Sequence, residues 1–194
     1  MNADAVATIL TEHRSLKAVV HGLKHLLNEA RTNGGQCDFT ALRAMLYYID
    51  AYPEKRHHPA EETFLFARLR ERTHAADTIL DELESQHQRT DVLVSRLHER
   101  LENFENGETG SLAAFASAID EFAGAMWQHM AMEEKVLLPL AREHLTDGDW
   151  AQVAEAFGKN DDPAYEVFRQ EDLSALLEQV TRFARNRARR GDAQ

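Results

Sequence analysis

A chain of 194 residues with 43% hydrophobic content and a mean hydropathy of −0.51 supports one domain with a sizeable core and leaves room only for a small appendage. No apolar run approaches the 18 or so residues needed to cross a bilayer. Met1 to Leu10 lacks the basic start, apolar core and cleavage site of a secretory leader, so a soluble cytoplasmic protein with no membrane partner is expected. The single cysteine, Cys37, excludes an internal disulfide and CxxC chemistry, and the formal charge of −11 argues against nucleic acid as a partner.

Four prolines and nine glycines punctuate apolar residues that recur at intervals of three and four, the helical period. The expected fold is all-α: an up-down-up-down four-helix bundle over residues 1–145, with a short C-terminal helical extension, residues 146–194, packed on the bundle. The first helix should run from about Asp4 to Ala30 and stop at Asn33-Gly34-Gly35. A second begins near Asp38. Pro53 interrupts it and Pro59 restarts it, because proline lacks an N–H and suits a first helical turn, so Tyr52 to His58 should be a kink or short break. A third helix is expected from roughly Ala75 to Glu105, ending at Gly107 and Gly110, and a fourth from about Ser111 to His144. Beyond the turn at Asp147-Gly148-Asp149, Trp150 to Phe157 and Leu173 to Arg187 read as shorter helices separated by Asn160-Asp161-Asp162-Pro163. The basic cluster Arg182, Arg185, Arg187, Arg189 and Arg190 reads as a solvated helix end.

Polar residues interrupt the apolar stripes. Helix one reads Val6, Ile9, His13, Leu16, Val20, Leu23 and Leu27; helix three reads Leu80, Leu83, His87, Thr90, Val94 and Leu97. Helix four reads Ile119, Phe122, Met126, His129, Glu133, Val136 and Leu140. An unpaired carboxylate on such a face costs several kcal/mol or takes up a proton, and a bound cation is one compensation. Helix two offers His57/Glu61 and His58/Glu62, both at the i, i+4 spacing that presents two ligands on one face. An internal repeat favours the first register: His129 to Leu138 aligns on His57 to Phe66, pairing His129 with His57 and Glu133-Glu134 with Glu61-Glu62. Two hairpins, each bearing a His and then His-x-x-x-Glu, would meet around a pseudo-twofold axis. Four imidazoles and two carboxylates suit two transition-metal ions, with zinc competing with iron.

The segments Glu12-His13-Arg14, His57-His58-Pro59-Ala60-Glu61-Glu62, Ser85-Gln86-His87 and His129-Met130-Ala131-Met132-Glu133-Glu134 resemble the hemerythrin HHE cation-binding family over about Ile9 to His144. The resemblance implies a non-haem centre of two iron ions with an open position for a diatomic molecule, oxygen or nitric oxide. It implies His13, His57, His87 and His129 as terminal ligands and Glu61 and Glu133 as bridges. Oxygen-carrying members have a further histidine one turn before the third-helix ligand, where this chain has Leu83, and their last carboxylate follows its histidine by five residues, which would point to Glu134. These departures bring the chain closer to bacterial relatives linked to nitric oxide, peroxide or iron–sulfur repair, the enzymatic alternative to reversible binding. Leu145 to Pro163 resembles the tail of some of those proteins. His58, Glu62 and Glu134 are expected to support or substitute for the ligands. His21, His25, His74, His98 and His144 are expected at the surface. No phosphate loop, HExxH element or nucleophile signature is present.

Overall fold

The computed structural model describes residues 2–158, with side chains from Ala5 onward. The expected helix over Leu173 to Arg187, the arginine cluster and the linker at Asn160 to Pro163 lie outside the described residues. Five helices make up the described part: α1 (Asn2–Thr32), α2 (39–72), α3 (Asp77–Glu105), α4 (111–144) and α5 (Asp147–Gly158). The fold is all-α, with no strand among the described residues. Connections at 33–38, 73–76 and 106–110 are too short to return the chain to the far end of a long helix, so successive helices run antiparallel. α1 packs against the start of α2 and against α4, α2 packs against α3, and α3 lies along α4, which closes the ring of four. No helix among the described residues is long and apolar enough to cross a membrane.

Local chemistry marks the boundaries. The Asp38 carboxylate accepts a 2.9 Å bond from the Ala41 N–H and so caps α2. The α3–α4 turn needs left-handed backbone at Gly107 and Gly110, with φ of 72° and 79°. At the head of α5, Thr146 and Asp149 cap reciprocally: the Asp149 carboxylate accepts from the Thr146 N–H (2.9 Å) and hydroxyl (2.6 Å), and the Thr146 hydroxyl accepts from the Asp149 N–H (3.2 Å).

The expected break at Tyr52 to His58 does not occur. The helix instead widens into π-helical turns over Asp50–His57 and again over Glu61–Phe66. The His58 N–H reaches back five residues to the Pro53 carbonyl, and the Ala67 N–H to that of Glu62. A wider turn gives the Pro53 ring space that an α-helix would deny it, so the helix continues through the proline unbroken. A third π turn covers Glu133–Leu137, where the Leu138 N–H bonds the Glu133 carbonyl. It advances the register by about one residue. Val136, expected inside, is therefore 44% exposed, while Leu137 and Leu138 are buried in its place.

Two apolar clusters fill the bundle. One joins Leu16–Ala30 of α1 to Met45, Tyr48, Leu97, Phe115 and Phe122; the other joins Val6 and Ile9 to Phe66, Leu80, Leu83, Leu137 and the α5 residues Trp150, Val153 and Phe157. Between them lies a layer of buried polar groups.

Two glycines with open space around a would-be Cβ separate backbone strain from packing. Gly110→Ala forces a left-handed φ on alanine and is expected to destabilise the fold by about 1 kcal/mol, whereas Gly124→Ala, in the exposed middle of α4, should stabilise it by about 0.5–1 kcal/mol. Urea denaturation of the two variants should show these opposite signs.

Candidate metal centre

The polar layer gathers one side chain or more from each of the four long helices. His13 comes from α1, His57, His58 and Glu61 from α2, His87 from α3, and His129 and Glu133 from α4; all are between 0% and 5% exposed. All six ligand candidates derived from the stripes and the repeat meet here. His58, expected beside them, also points inward, because the widened turn of α2 carries two consecutive histidines onto the buried face.

The two glutamates organise the cluster. Glu61 places Oε1 3.2 Å from Nε2 of His57 and Oε2 3.5 Å from Nε2 of His87. Glu133 places Oε2 3.2 Å from Nε2 of His13 and Oε1 3.3 Å from Nε2 of His129. Each carboxylate thus turns one oxygen to the histidines of the first hairpin and the other to those of the second. Donor atoms of His13, His57, Glu61 and Glu133 lie within 4.8 Å of one another, as do those of Glu61, His87, His129 and Glu133, and those of His58, His87 and His129. Despite these short approaches, Nε2 of His13, His87 and His129 and all four carboxylate oxygens are enclosed without a hydrogen-bond partner. Buried polar atoms are seldom left so, and a set of inward imidazole nitrogens and carboxylate oxygens is what a cation fits.

The outer ring nitrogens of His13, His57, His87 and His129 are engaged, whereas Nδ1 of His58 is buried without a hydrogen-bond partner. Nδ1 of His57 meets Glu12 at 2.5 Å, that of His13 meets Glu134 at 3.1 Å, that of His87 meets Glu62 at 2.7 Å and that of His129 meets the Gln86 side-chain oxygen at 3.1 Å. Carboxylate and amide oxygens accept, so each Nδ1 carries the proton and Nε2 is left to face the centre, the arrangement that orients a metal-binding imidazole. The pattern keeps the pseudo-twofold. His57 and His129 bond within their own hairpins, to the residue before His13 or His87; His13 and His87 bond across, to the residue after Glu133 or Glu61. Tyr52 adds a 2.7 Å bond from its hydroxyl to Glu12, burying that carboxylate in a relay to His57.

A family model for the hemerythrin HHE cation-binding domain matches residues 4–141. The chain belongs to this family. No curated protein and no solved structure matches it.

The further α3 histidine of oxygen-carrying relatives has no counterpart in this chain. The α3 position one turn before His87 is Leu83, which is fully buried in the apolar core. His58 of α2 lies beside this part of the cluster, stacked on His87 with ring centroids 4.0 Å apart and 5.4 Å from His129. The repeat could not show this, since its partner position in α4 is Met130. Glu12 and Tyr52 were likewise missed as a pair; the only sequence signal for the outer ring is that Glu12, Glu62, Gln86 and Glu134 each adjoin a candidate ligand. His21, His25, His74 and His98 are exposed and His144 is half-buried, all away from the cluster.

Charge follows from this packing. Burial opposes protonation of His57, yet the charges and contacts of Glu61 and Glu12 prevail and hold it well above its ordinary value. His87 is pushed up to about 9, burial again being outweighed by Glu61, Glu62 and Glu133. His58 goes the other way: burial and the neighbouring His87, His129 and His57 hold it well below 6.5, so it is neutral. Burial raises both Glu61 and Glu133, and the charge of Glu133 raises Glu61 further, but the surrounding imidazoles win and both stay ionised. Without metal, then, protons on His57 and His87 offset the carboxylates.

A metal ion must displace those protons. Calorimetric metal titration at pH 7 in buffers of different ionisation heat should show proton release, with the share from His87 disappearing as pH rises through about 9. The same raised value sets the sign for metal-free stability. The His87 contribution is complete below its ordinary value of 6.5 and is lost as pH climbs through about 9, so the metal-free protein should melt at a lower temperature on the alkaline side.

Proposed function

We propose that this hemerythrin-family chain holds a non-haem two-iron centre that takes one small diatomic molecule, oxygen or nitric oxide. His13 and His57 would hold one ion, His87, His129 and His58 the other, and Glu61 and Glu133 would be shared between them. The observation that carries this reading is the division of both carboxylates, each with one oxygen toward His13 or His57 and one toward His87 or His129. A single ion would need no such division. Bridging carboxylates between histidines inside a helix bundle suit two iron ions, and zinc is the competitor that imidazole and carboxylate also accept.

The ligand set is unequal. Two imidazoles, His13 and His57, would hold the first ion and three, His87, His129 and His58, the second, so the first ion would keep a position for an outside molecule. Because the cluster residues are at most 5% exposed, that molecule has only a few atoms. Bound iron supplies reversible coordination of such a ligand and change of oxidation state. The chain's own part is to hold five imidazoles by their outer nitrogens or by packing, to keep Nε2 unprotonated once metal arrives, and to exclude bulk water with two apolar layers.

Ligand and supporting roles separate by metal content. Glu61→Ala and Glu133→Ala are each expected to lose most of the metal. Glu62→Ala and Glu134→Ala, which remove only the partners of His87 and His13, should keep the stoichiometry and weaken affinity by about 10–100-fold. Anaerobic addition of nitric oxide to the reduced wild-type protein should change its optical spectrum in proportion to bound iron. Metal retained in both bridging variants, or no spectral response from an iron-loaded protein, contradicts the proposal.

A further inference from the structure

The half-site that lacks a third imidazole has a neighbour from outside the matched family region. Around His57 stand His13, His58 and Phe157, with ring centroids at 5.2, 5.8 and 5.5 Å, and the Phe157 ring meets it edge-on at 83°. Phe157 is fully buried, and it belongs to α5, beyond residues 4–141. α5 lies along α1 and touches 58–60 and 61–66, the segments that carry His13, His58 and Glu61. Its head is fixed by Arg72, whose Nε and Nη2 each donate a 2.9 Å bond to the Asp149 carboxylate. From there Trp150, Val153 and Phe157 follow at helical spacing on one buried face, so the clamp at the start sets where the last ring lands.

We propose that Phe157 is a specificity-determining residue of the centre: its ring closes the two-imidazole half-site, admitting ligands of a few atoms and holding back larger or multiply charged ones. The inference rests on the two-metal reading above. An apolar ring there removes water that would otherwise solvate an incoming charged group or a departing ion, and the apolar shell of a metal site controls solvent access in this way. With the ring removed, the coordination position stays but its wall does not.

The experiment uses the metal-loaded full chain and follows metal loss to EDTA with a colorimetric indicator, after measuring the starting metal content. Phe157→Ala should start with wild-type metal content and lose it about tenfold faster or more, the size of effect that changes in a metal's surrounding shell produce. Val153→Ala loosens the same helix one turn earlier while leaving the ring against His57, and should stay near the wild-type rate. If Phe157→Ala is unfolded by circular dichroism, Phe157→Val, which keeps an apolar anchor without the ring, carries the test with the same direction expected. A Phe157 variant that loses metal at the wild-type rate, or a Val153→Ala variant that loses it as fast as the Phe157 variant, overturns the inference alone. A wild-type protein holding no metal, seen before EDTA is added, overturns the two-metal reading and this inference with it.

Discussion

Everything in the bundle's middle follows from two carboxylates, Glu61 and Glu133, held fully buried and close enough that the charge of Glu133 raises the cost of ionising Glu61. Removing a carboxylate from water costs several kcal/mol, and mutual repulsion adds to it. Positive charge must stand beside them. In the metal-free protein it comes from protons on His57, His87 and His13, whose values are raised against the pull of burial. Such an arrangement is poor economy for a fold alone, since an apolar layer of the same volume would pack without it. It suits a site in which a cation replaces the protons.

That requirement spreads outward in order. Imidazoles can replace protons with metal only if they are oriented, so Glu12, Glu62, Glu134 and Gln86 engage their outer nitrogens. Lys17 and Tyr52 in turn meet Glu134 and Glu12, with bonds of 3.1 and 2.7 Å. Glu134 is thereby brought down to about 2, His13 contributing most, so its negative charge persists across the physiological range. Apolar clusters above and below keep the inner contacts of Glu61 and Glu133 dry, where electrostatic interactions are strongest, while Glu62, Glu134 and Lys17 reach solvent. The π turns belong to the same account: wherever α2 and α4 widen, a candidate ligand lies in or beside the widened turn, at His57, Glu61 and Glu133.

Much of this was legible in the sequence, because spacing is what a helix preserves. His13, His87, His129 and Glu133 announced themselves as polar interruptions of apolar stripes, and the repeat selected His57 and Glu61 between two equal registers. The glycine and asparagine turns located the helix ends to within a few residues. What failed did so for one physical reason: a constant period of 3.6 residues was assumed through segments whose hydrogen bonds reach back five. That assumption put Val136 inside and left His58 to one side, and it allowed a break at Pro53 where the helix runs on. Tyr52, Glu12 and Phe157 were beyond reach differently, since their contacts join distant segments and no local pattern encodes them.

The central claim is that the polar layer is built for two ions sharing two carboxylates. Anaerobic titration of the metal-free chain with ferrous iron, followed by calorimetry and by elemental analysis of the desalted product, tests it most directly. The account predicts an end point at about two irons per chain, as expected for a carboxylate-bridged pair in a bundle. An end point near one iron, or no uptake while zinc binds singly, would contradict it.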